Sequence, residues 1–181
     1  MYRIILWHQS LNLKSFYEKS YKKGYLNNIN QKVMIDDVRE SVSEWKGFVL
    51  YRDLDPVGFC SLHSISEIDP NGYRIMCRLA IPDGQQKVLR KYTGFYKHDH
   101  LTDQFLLPAC LNAVNGNHYI TTNESPVASQ RLVHKLYMPN LVKNGLAEKK
   151  GIIQYRGHEQ TLWLVYKDKF LQSLEKHKWN Q

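Results

Sequence analysis

The chain has 181 residues, of which 43% are hydrophobic and 23% are charged; these values indicate a folded domain and exclude an intrinsically disordered chain. The formal net charge is +8, which favours anionic partners such as nucleotides or nucleic acid. No apolar run approaches the roughly 20 residues of a membrane-spanning helix, and the first residues do not form a signal-peptide pattern. We therefore expect no membrane partner.

The cysteines indicate the redox compartment. Cys60, Cys77 and Cys110 lie inside apolar stretches and are odd in number. This pattern favours free, buried thiols over a disulfide framework, and therefore a reducing compartment. We expect a cytoplasmic protein.

The first third of the chain predicts one strand and two helices. Tyr2 to Trp7 is rich in isoleucine and aromatic residues, as β-strands are. Ser10 can cap a helix, and aromatic side chains recur after it at helical spacing as far as Tyr25. A second amphipathic helix is predicted from Ile35 to Trp45.

After Gly47 the hydrophobic period changes to that of strands. Phe48 to Arg52, Val57 to Ser66 and Tyr73 to Ile81 are joined by two short turns, so they predict an antiparallel meander. A long loop from Pro82 to His100 follows the third strand. Its basic and glycine residues make it a candidate phosphate-binding loop.

Two helical segments in the second half contain an internal proline. Leu101 to Val114 contains Pro108, so either this helix kinks or its regular part begins near Leu107. A short strand at 118–122 precedes a long helix that starts near Asn123, is interrupted by Pro139 and ends at Gly145.

The end of the chain predicts a β-hairpin and a basic closing helix. The hairpin comprises 151–157 and 161–167, and the helix runs from Phe170 to Trp179. We see no repeat or linker. The sequence therefore predicts one α/β (α+β) domain over residues 1–181, with a mixed, mostly antiparallel sheet flanked by helices.

This element order resembles that of the GNAT superfamily of acyl-CoA-dependent N-acetyltransferases. In that family a meander ends before a pyrophosphate-binding loop, as here at Ile81-Pro82. Asn123, Ala128, Leu136-Tyr137 and Gly145-Leu146 are similar to the family's Asn…Ala…Leu-Tyr…Gly-Phe pattern. The chain also resembles acetyltransferase-like proteins of large tailed phages, which would place it in the host cytoplasm.

The resemblance implies acetyl-CoA as the cofactor and an amine, small or on a protein, as the acceptor. The loop departs from the family's [Gln/Arg]-x-x-Gly-x-[Gly/Ala] pattern, because its nearest match is Lys91-Tyr-Thr-Gly94-Phe-Tyr96, which ends in tyrosine. The cofactor-binding residues implied by the resemblance are Leu79, Ala80, Ile81, Lys87, Arg90, Lys91, Gly94, Asn123 and Ser129.

Three catalytic candidates follow from the same resemblance. Tyr137 matches the general acid that returns a proton to the thiolate, although a core tyrosine with a bonded hydroxyl fits the pattern as well. Glu67, with Asp69, is a candidate base at a strand end, and both also fit an exposed turn. Glu124 is a further base candidate that fits a helix start equally.

Two functions remain open from the sequence. The first is an acyl-CoA-dependent N-acetyltransferase. The second is an inactive protein of the same fold that binds nucleic acid or a host protein through its C-terminal third. Residues 130–181 contain ten Lys or Arg against four Asp or Glu. His98, His100 and Asp103 could hold a metal ion, and Thr102 and Asp103 also fit the opening of the following helix. Loop histidines beside an aspartate are mostly solvated, and no cysteine pairing supports zinc, so we expect no metal site.

Overall fold

A computed structural model describes residues 1–7, 46–79, 101–124, 133–155 and 157–178 of the chain. The two helices predicted between Ser10 and Trp45, and the basic loop after Leu79, lie outside the described residues. All other predicted elements are described at least in part.

Among the described residues, seven strands form one sheet, and helical segments lie in two connections and at the C-terminal end. The strands are β1 (Tyr2–Leu6), β2 (Lys46–Arg52), β3 (Asp55–Ser64), β4 (Gly72–Leu79), β5 (Asn117–Thr122), β6 (Ala147–Tyr155) and β7 (His158–Val165). The helical segments are a π-helical turn (Thr102–Leu106) continued by α1 (Leu107–Ala113), a π-helical turn (Val133–Tyr137) continued by α2 (Met138–Lys143), and α3 (Lys167–Lys178).

The strand order in the sheet is β1-β2-β3-β4-β5-β7-β6. The pairs from β1 to β4 are antiparallel, as are the pairs of β7 with β5 and with β6. The pair of β4 and β5 is parallel, because the chain crosses over from the end of β4 through α1 before it enters β5. The predicted meander and the mixed, mostly antiparallel sheet are confirmed.

Several boundaries differ from the prediction, among them the start of β7 at His158 and of α3 at Lys167. The β2–β3 turn is only Asp53-Leu54, and Asp53 adopts a left-handed conformation (φ 56°), which aspartate tolerates better than most residues. β6 begins at Ala147, four residues before the predicted start at Gly151. An irregularity between Lys149 and Gly151 shifts the register there, so the alternating pattern is broken inside one strand and only its second half was recognised.

Each internal proline lies where a π-helical turn changes to an α-helix. Pro108 is in the first turn of α1, and the N–H of Leu107 donates to the carbonyl of Thr102, five residues earlier. Pro139 occupies the same place in α2. A proline ring clashes with the carbonyl four residues before it, and the wider π turn relieves this crowding. The helix therefore continues through Pro108 as a helical segment of two geometries.

The main core lies between α1, α2, α3 and one face of the sheet. Leu106, Leu107 and Leu111 contribute from the first helix, and Met138 and Phe170 from the others; these side chains are at most 1% exposed. A smaller cluster on the opposite face joins Ile65, Tyr119, Tyr155 and Leu162. Among the described residues, no helix is both long and apolar enough to cross a membrane.

Candidate functional site

The parallel strands β4 and β5 pair only at their beginnings. The described ladder joins Gly72–Asn117, Tyr73–His118 and Arg74–Tyr119, whereas β4 continues to Leu79 and β5 to Thr122. Their outer edges remain paired to the end, β4 with β3 and β5 with β7. The two inner edges therefore separate. We call the gap between residues 75–79 and 120–122 the strand gap.

A strand gap of this kind can bind an extended ligand through the strand backbones. An extended chain can pair with such an edge through main-chain hydrogen bonds, as a peptide does when it adds a strand to a sheet. The first contact beyond the ladder is the hydrogen bond from Arg74 Nε to Thr121 Oγ1 at 2.7 Å, which connects the two strands at the closed end.

Tyr137 lies next to the β4 side of the strand gap. Its ring packs on the main core, and its hydroxyl interacts electrostatically with Cys77, in the second half of β4. The hydroxyl donates a hydrogen bond to Asp103 Oδ1 at 2.5 Å. Both residues belong to π-helical turns, Asp103 to the one before α1 and Tyr137 to the one before α2.

Burial shifts the pKa values of both partners in this hydrogen bond. Asp103 is only 6% exposed, and desolvation raises its pKa to about 7, while the hydrogen bond from Tyr137 lowers it. Burial also raises the pKa of Tyr137 well above its usual range, and the charge and hydrogen bond of Asp103 raise it further. The pair therefore holds two dissociable protons in a desolvated place beside the strand gap.

The three cysteines gather under the same region. Cys60 and Cys77 are opposite each other on β3 and β4, and Cys60 Sγ lies 3.3 Å from the carbonyl oxygen of Leu106. Burial and contacts with Cys110 and Cys77 raise the pKa of the Cys60 thiol. All three thiols are free, as predicted; Cys60 and Cys110 are buried and Cys77 is half-buried. A raised thiol pKa opposes nucleophilic chemistry at Cys60.

A second polar cluster lies at the end of β5. Trp163 Nε1 donates to Thr122 Oγ1 at 2.7 Å, and Thr122 Oγ1 lies 2.8 Å from His134 Nδ1. Since the threonine hydroxyl accepts from the indole, its own proton can be donated to His134 Nδ1. The imidazole is thereby oriented at the open end of the strand gap, three residues before Tyr137 on the same helical segment.

The predicted cofactor-binding residues are only partly described. Leu79 is the last residue of β4, opposite Gly58 on β3, and borders the strand gap. Asn123 is half-buried and directly follows β5 at the same open end. The remaining predicted residues lie outside the described part of the chain: Ala80, Ile81, Lys87, Arg90, Lys91, Gly94 and Ser129.

The three catalytic candidates are at different places. Tyr137 borders the strand gap, and Glu124 lies just beyond the end of β5, exposed and in an ion pair with Lys135. Glu67 is exposed in the β3–β4 turn, at the beginning of β4. Gly72 and Leu79 are separated by seven residue steps of a strand, about 23 Å. Glu67 is therefore at the closed end, away from Tyr137.

Asp69, the partner of Glu67 in that prediction, has a structural environment. Its carboxylate accepts hydrogen bonds from the backbone N–H of Asn71, from Asn117 Nδ2 and from the hydroxyl of Tyr119. These bonds lower the pKa of Asp69. A carboxylate held in this way is a weak base, and it connects the β3–β4 turn to the start of β5.

Two polar residues of the site, Asp103 and His134, were not among the catalytic or cofactor-binding residues expected from the sequence. Asp103 was placed only at the opening of a helix and in a metal-site alternative with His98 and His100. The missed signal was its position, because Asp103, Leu106, Leu107 and Cys110 share one helical face and that face is buried. An acidic residue on an otherwise apolar helical face indicates a buried polar group, which marks a candidate site. His134 has no comparable signal, because its partner Thr122 lies 12 positions earlier in the sequence and on a different element.

No group of three or more metal-ligating side chains occurs among the described residues. No protein-family model matches the sequence, and no curated protein matches it.

Comparison with solved structures identifies the fold. A chimera of spermidine N-acetyltransferase SpeG from Vibrio cholerae and hSSAT superposes with a TM-score of 0.57 at 13% identity, covering 94% of this chain and 98% of that one. A protein assigned to the GNAT family from Desulfovibrio desulfuricans gives 0.53 at 12% identity, covering 91% and 98%. An acyl-CoA N-acyltransferase from Pseudomonas aeruginosa gives 0.52 at 10% identity, covering 92% and 100%.

The chain has the GNAT fold. The expectation drawn from the element order is thereby confirmed over nearly the whole length of these structures. Identities of 10–13% establish the fold alone, so activity has to be argued from the residues. An origin in a phage remains a prediction.

Proposed function

We propose that this GNAT-fold protein is an acyl-CoA-dependent N-acetyltransferase that transfers an acetyl group to an amine. The observation that carries the proposal is the electrostatic interaction of the Tyr137 hydroxyl with Cys77 in the second half of β4, the strand that forms one side of the strand gap. The sequence resemblance assigns the proton-returning role to this residue.

The described residues fit an extended thioester substrate. The inner edges of β4 and β5 carry backbone donors and acceptors that face the strand gap, and Leu79 continues toward the predicted phosphate-binding loop. Acetyl-CoA supplies the acyl group and, after transfer, a sulfur that requires one proton. The protein holds the extended arm, excludes water and supplies that proton from Tyr137 Oη.

The candidates for the general base lie at opposite ends of the strand gap. Glu124 and His134 lie at the open end of the strand gap, whereas Glu67 lies at the closed end. We therefore expect Glu67→Gln to keep its activity. A loss of activity in Glu67→Gln but not in Glu124→Gln would reverse the ranking.

Binding of acetyl-CoA is the direct test of the proposal. A saturable ligand raises the free energy of unfolding by about 2.7 kcal/mol at 100 times its dissociation constant, so the melting temperature should rise and then saturate. The double variant Arg90→Ala, Lys91→Ala should lose this rise if those side chains bind phosphate. Lys169→Ala, Lys176→Ala on α3 is the matched control, because it removes the same charge elsewhere.

Thiol release with a panel of amines then tests transfer. Spermidine belongs in the panel because similar structures are spermidine N-acetyltransferases, together with a neutral monoamine and a lysine-containing peptide. The wild-type protein should release CoA thiol only when an accepted amine is present. Tyr137→Phe should reduce the rate with at least one amine by about 10²-fold or more.

The alternative is a binding protein that uses the basic C-terminal third. A surface groove between the end of α2 and α3, with Lys169 and Lys176 in its lining, favours it. In that case acetyl-CoA would not raise the melting temperature. Affinity for nucleic acid would fall steeply with salt and would be weakened by Lys169→Ala, Lys176→Ala.

A further inference from the structure

The hydrogen bond between Tyr137 and Asp103 conflicts with a general-acid role for Tyr137. A tyrosine hydroxyl carries one proton, and here that proton is donated to Asp103 Oδ1 at 2.5 Å. A proton held by Asp103 is not available to a leaving thiolate. If Tyr137 acts as the acid, the state of Asp103 must change first.

The surroundings of Asp103 allow that change. The carboxyl is 6% exposed and shares a buried helical face with Leu106 and Leu107. Burial raises its pKa to about 7, so a large share of the molecules carries a neutral carboxyl at neutral pH. Tyr137 acts on the pKa of Asp103, and the pKa of Tyr137 responds to Asp103 and to the thiol of Cys77.

Two other tyrosine–carboxylate pairs show that a hydrogen bond from tyrosine does not by itself raise the pKa of a carboxyl group. Tyr166 donates to Glu148 Oε2 at 2.7 Å, and Tyr119 donates to Asp69 Oδ2 at 2.8 Å. Both carboxylates are only partly buried, and hydrogen bonds lower their pKa values. The same contact therefore gives an acid with a raised pKa only where desolvation outweighs the hydrogen bond.

We propose that Asp103 stores the proton that Tyr137 delivers: when protonated, its carboxyl donates to the Tyr137 hydroxyl, which frees the tyrosine's own proton for the leaving sulfur. This inference rests on the proposed function. Asp103 acts through Tyr137 and is a positioning and proton-supplying residue.

In the transfer step the acyl carbon exchanges its sulfur for the amine nitrogen. The bond between the amine nitrogen and the acyl carbon forms, and the carbon–sulfur bond breaks. The sulfur takes the proton of Tyr137 Oη, Oη takes the proton of Asp103, and the surplus proton of the amine leaves to solvent. Asp103 then regains a proton from solvent before the next turnover.

The direction of proton transfer supports this order. An alkyl thiol has a pKa of about 8.5, which lies below that of Tyr137 and above that of Asp103. Proton transfer from Tyr137 alone to a thiolate is therefore unfavourable. It becomes favourable when Tyr137 regains its proton from Asp103. Protonated Asp103 is required, so kcat should fall as pH rises through about 7.

The first experiment needs no substrate. Carbon-13 NMR of aspartate carboxyls should show one group that titrates near pH 7 in the wild-type protein and is missing in Asp103→Asn. In Tyr137→Phe its midpoint should move to higher pH, because the hydrogen bond that lowers it is lost. Titration of every aspartate below about pH 5 would overturn the inference.

The second experiment measures kcat against pH. Asp103→Asn should lower kcat about 10- to 100-fold and remove the decline near pH 7, because an amide can donate to Tyr137 but cannot release a proton. Adding Tyr137→Phe should cost little more, since the two residues act as a unit. Asp103→Glu should recover part of the rate. Glu148→Gln and Tyr166→Phe are matched controls and should keep the wild-type profile.

The outcomes separate the two proposals. Acyl transfer by the wild-type protein together with an unchanged kcat and pH profile in Asp103→Asn would overturn only the role of Asp103. No acyl transfer with any amine would overturn the proposed function and this role together. If Asp103→Asn does not fold, the wild-type and Tyr137→Phe titrations still decide whether the carboxyl stores a proton near pH 7.

Discussion

The backbone N–H of Asn117 donates to the carbonyl oxygen of Asn71 at 2.9 Å, at the start of the β4–β5 ladder that closes one end of the strand gap. The same turn holds the start of β5 through Asp69, which accepts from Asn117 and Tyr119. β4 and β5 are therefore fixed together where they begin and are separate where they end. The shape of the candidate site depends on this attachment.

Gly116 makes that attachment possible. Its φ of +145° is rare for residues with a side chain, and an added Cβ would lie 2.5 Å from the carbonyl oxygen of Asn71. We expect Gly116→Ala to lower the free energy of unfolding by about 2 to 4 kcal/mol, from strain and steric overlap together. Chemical denaturation measures the change.

Gly151 is the matched control for this prediction. Its φ is +136°, but nothing lies within 4 Å of an added Cβ. Gly151→Ala should therefore show the backbone strain without the overlap and cost at least about 1 kcal/mol less than Gly116→Ala. Equal losses in the two variants would show that the contact with Asn71 is unimportant.

Asp69 should make stability dependent on pH in the acid range. Hydrogen bonds from Asn117, Asn71 and Tyr119 hold its pKa below the usual 3.8. Its stabilising contribution is therefore complete above the unfolded pKa and is lost as pH falls through the lower, folded pKa. Asp69→Asn should flatten the pH dependence of the unfolding midpoint below about pH 4, whereas Asp168→Asn at the start of α3 should not.

His118 should act in a different pH range. It is 1% exposed, and burial, together with the charge of Lys167, lowers its pKa from 6.5 to about 4. Between pH 4 and pH 6.5, His118 therefore binds a proton more readily in the unfolded chain than in the folded protein. Stability should be complete above pH 6.5 and fall by about 1 to 3 kcal/mol toward pH 4. His118→Gln should remove this slope, and His158→Gln, at an exposed position, should preserve it.

The hydrogen bond between Trp163 and Thr122 should stabilise the open end of β5. The indole N–H is buried, and Thr122 Oγ1 is its acceptor at 2.7 Å. Thr122→Val keeps the shape but removes the acceptor, so we expect a loss of about 1 to 3 kcal/mol in unfolding free energy. Thr122→Ser should retain most of the stability. A valine variant as stable as the serine variant would contradict the prediction.

Local pattern was sufficient for most elements of the fold. The alternation in β2, β3 and β4 and the short turns between them predict the meander, because adjacent strands with tight connections pair antiparallel. The element order then indicated the GNAT fold, which the solved structures confirm. The start of β6 was missed because the irregularity at Gly151 breaks the period on which such predictions depend.

Patterns along the sequence predicted most of the described elements, their order and the candidacy of Tyr137. Only the tertiary structure brought Tyr137 to Asp103, a residue 34 positions earlier, and both to the second half of β4. The reason is physical: hydrophobic periodicity reports which face of an element is buried, but the pKa of a buried carboxyl depends on which groups from other elements share its cavity. A pattern read along the chain contains the first kind of information and lacks the second.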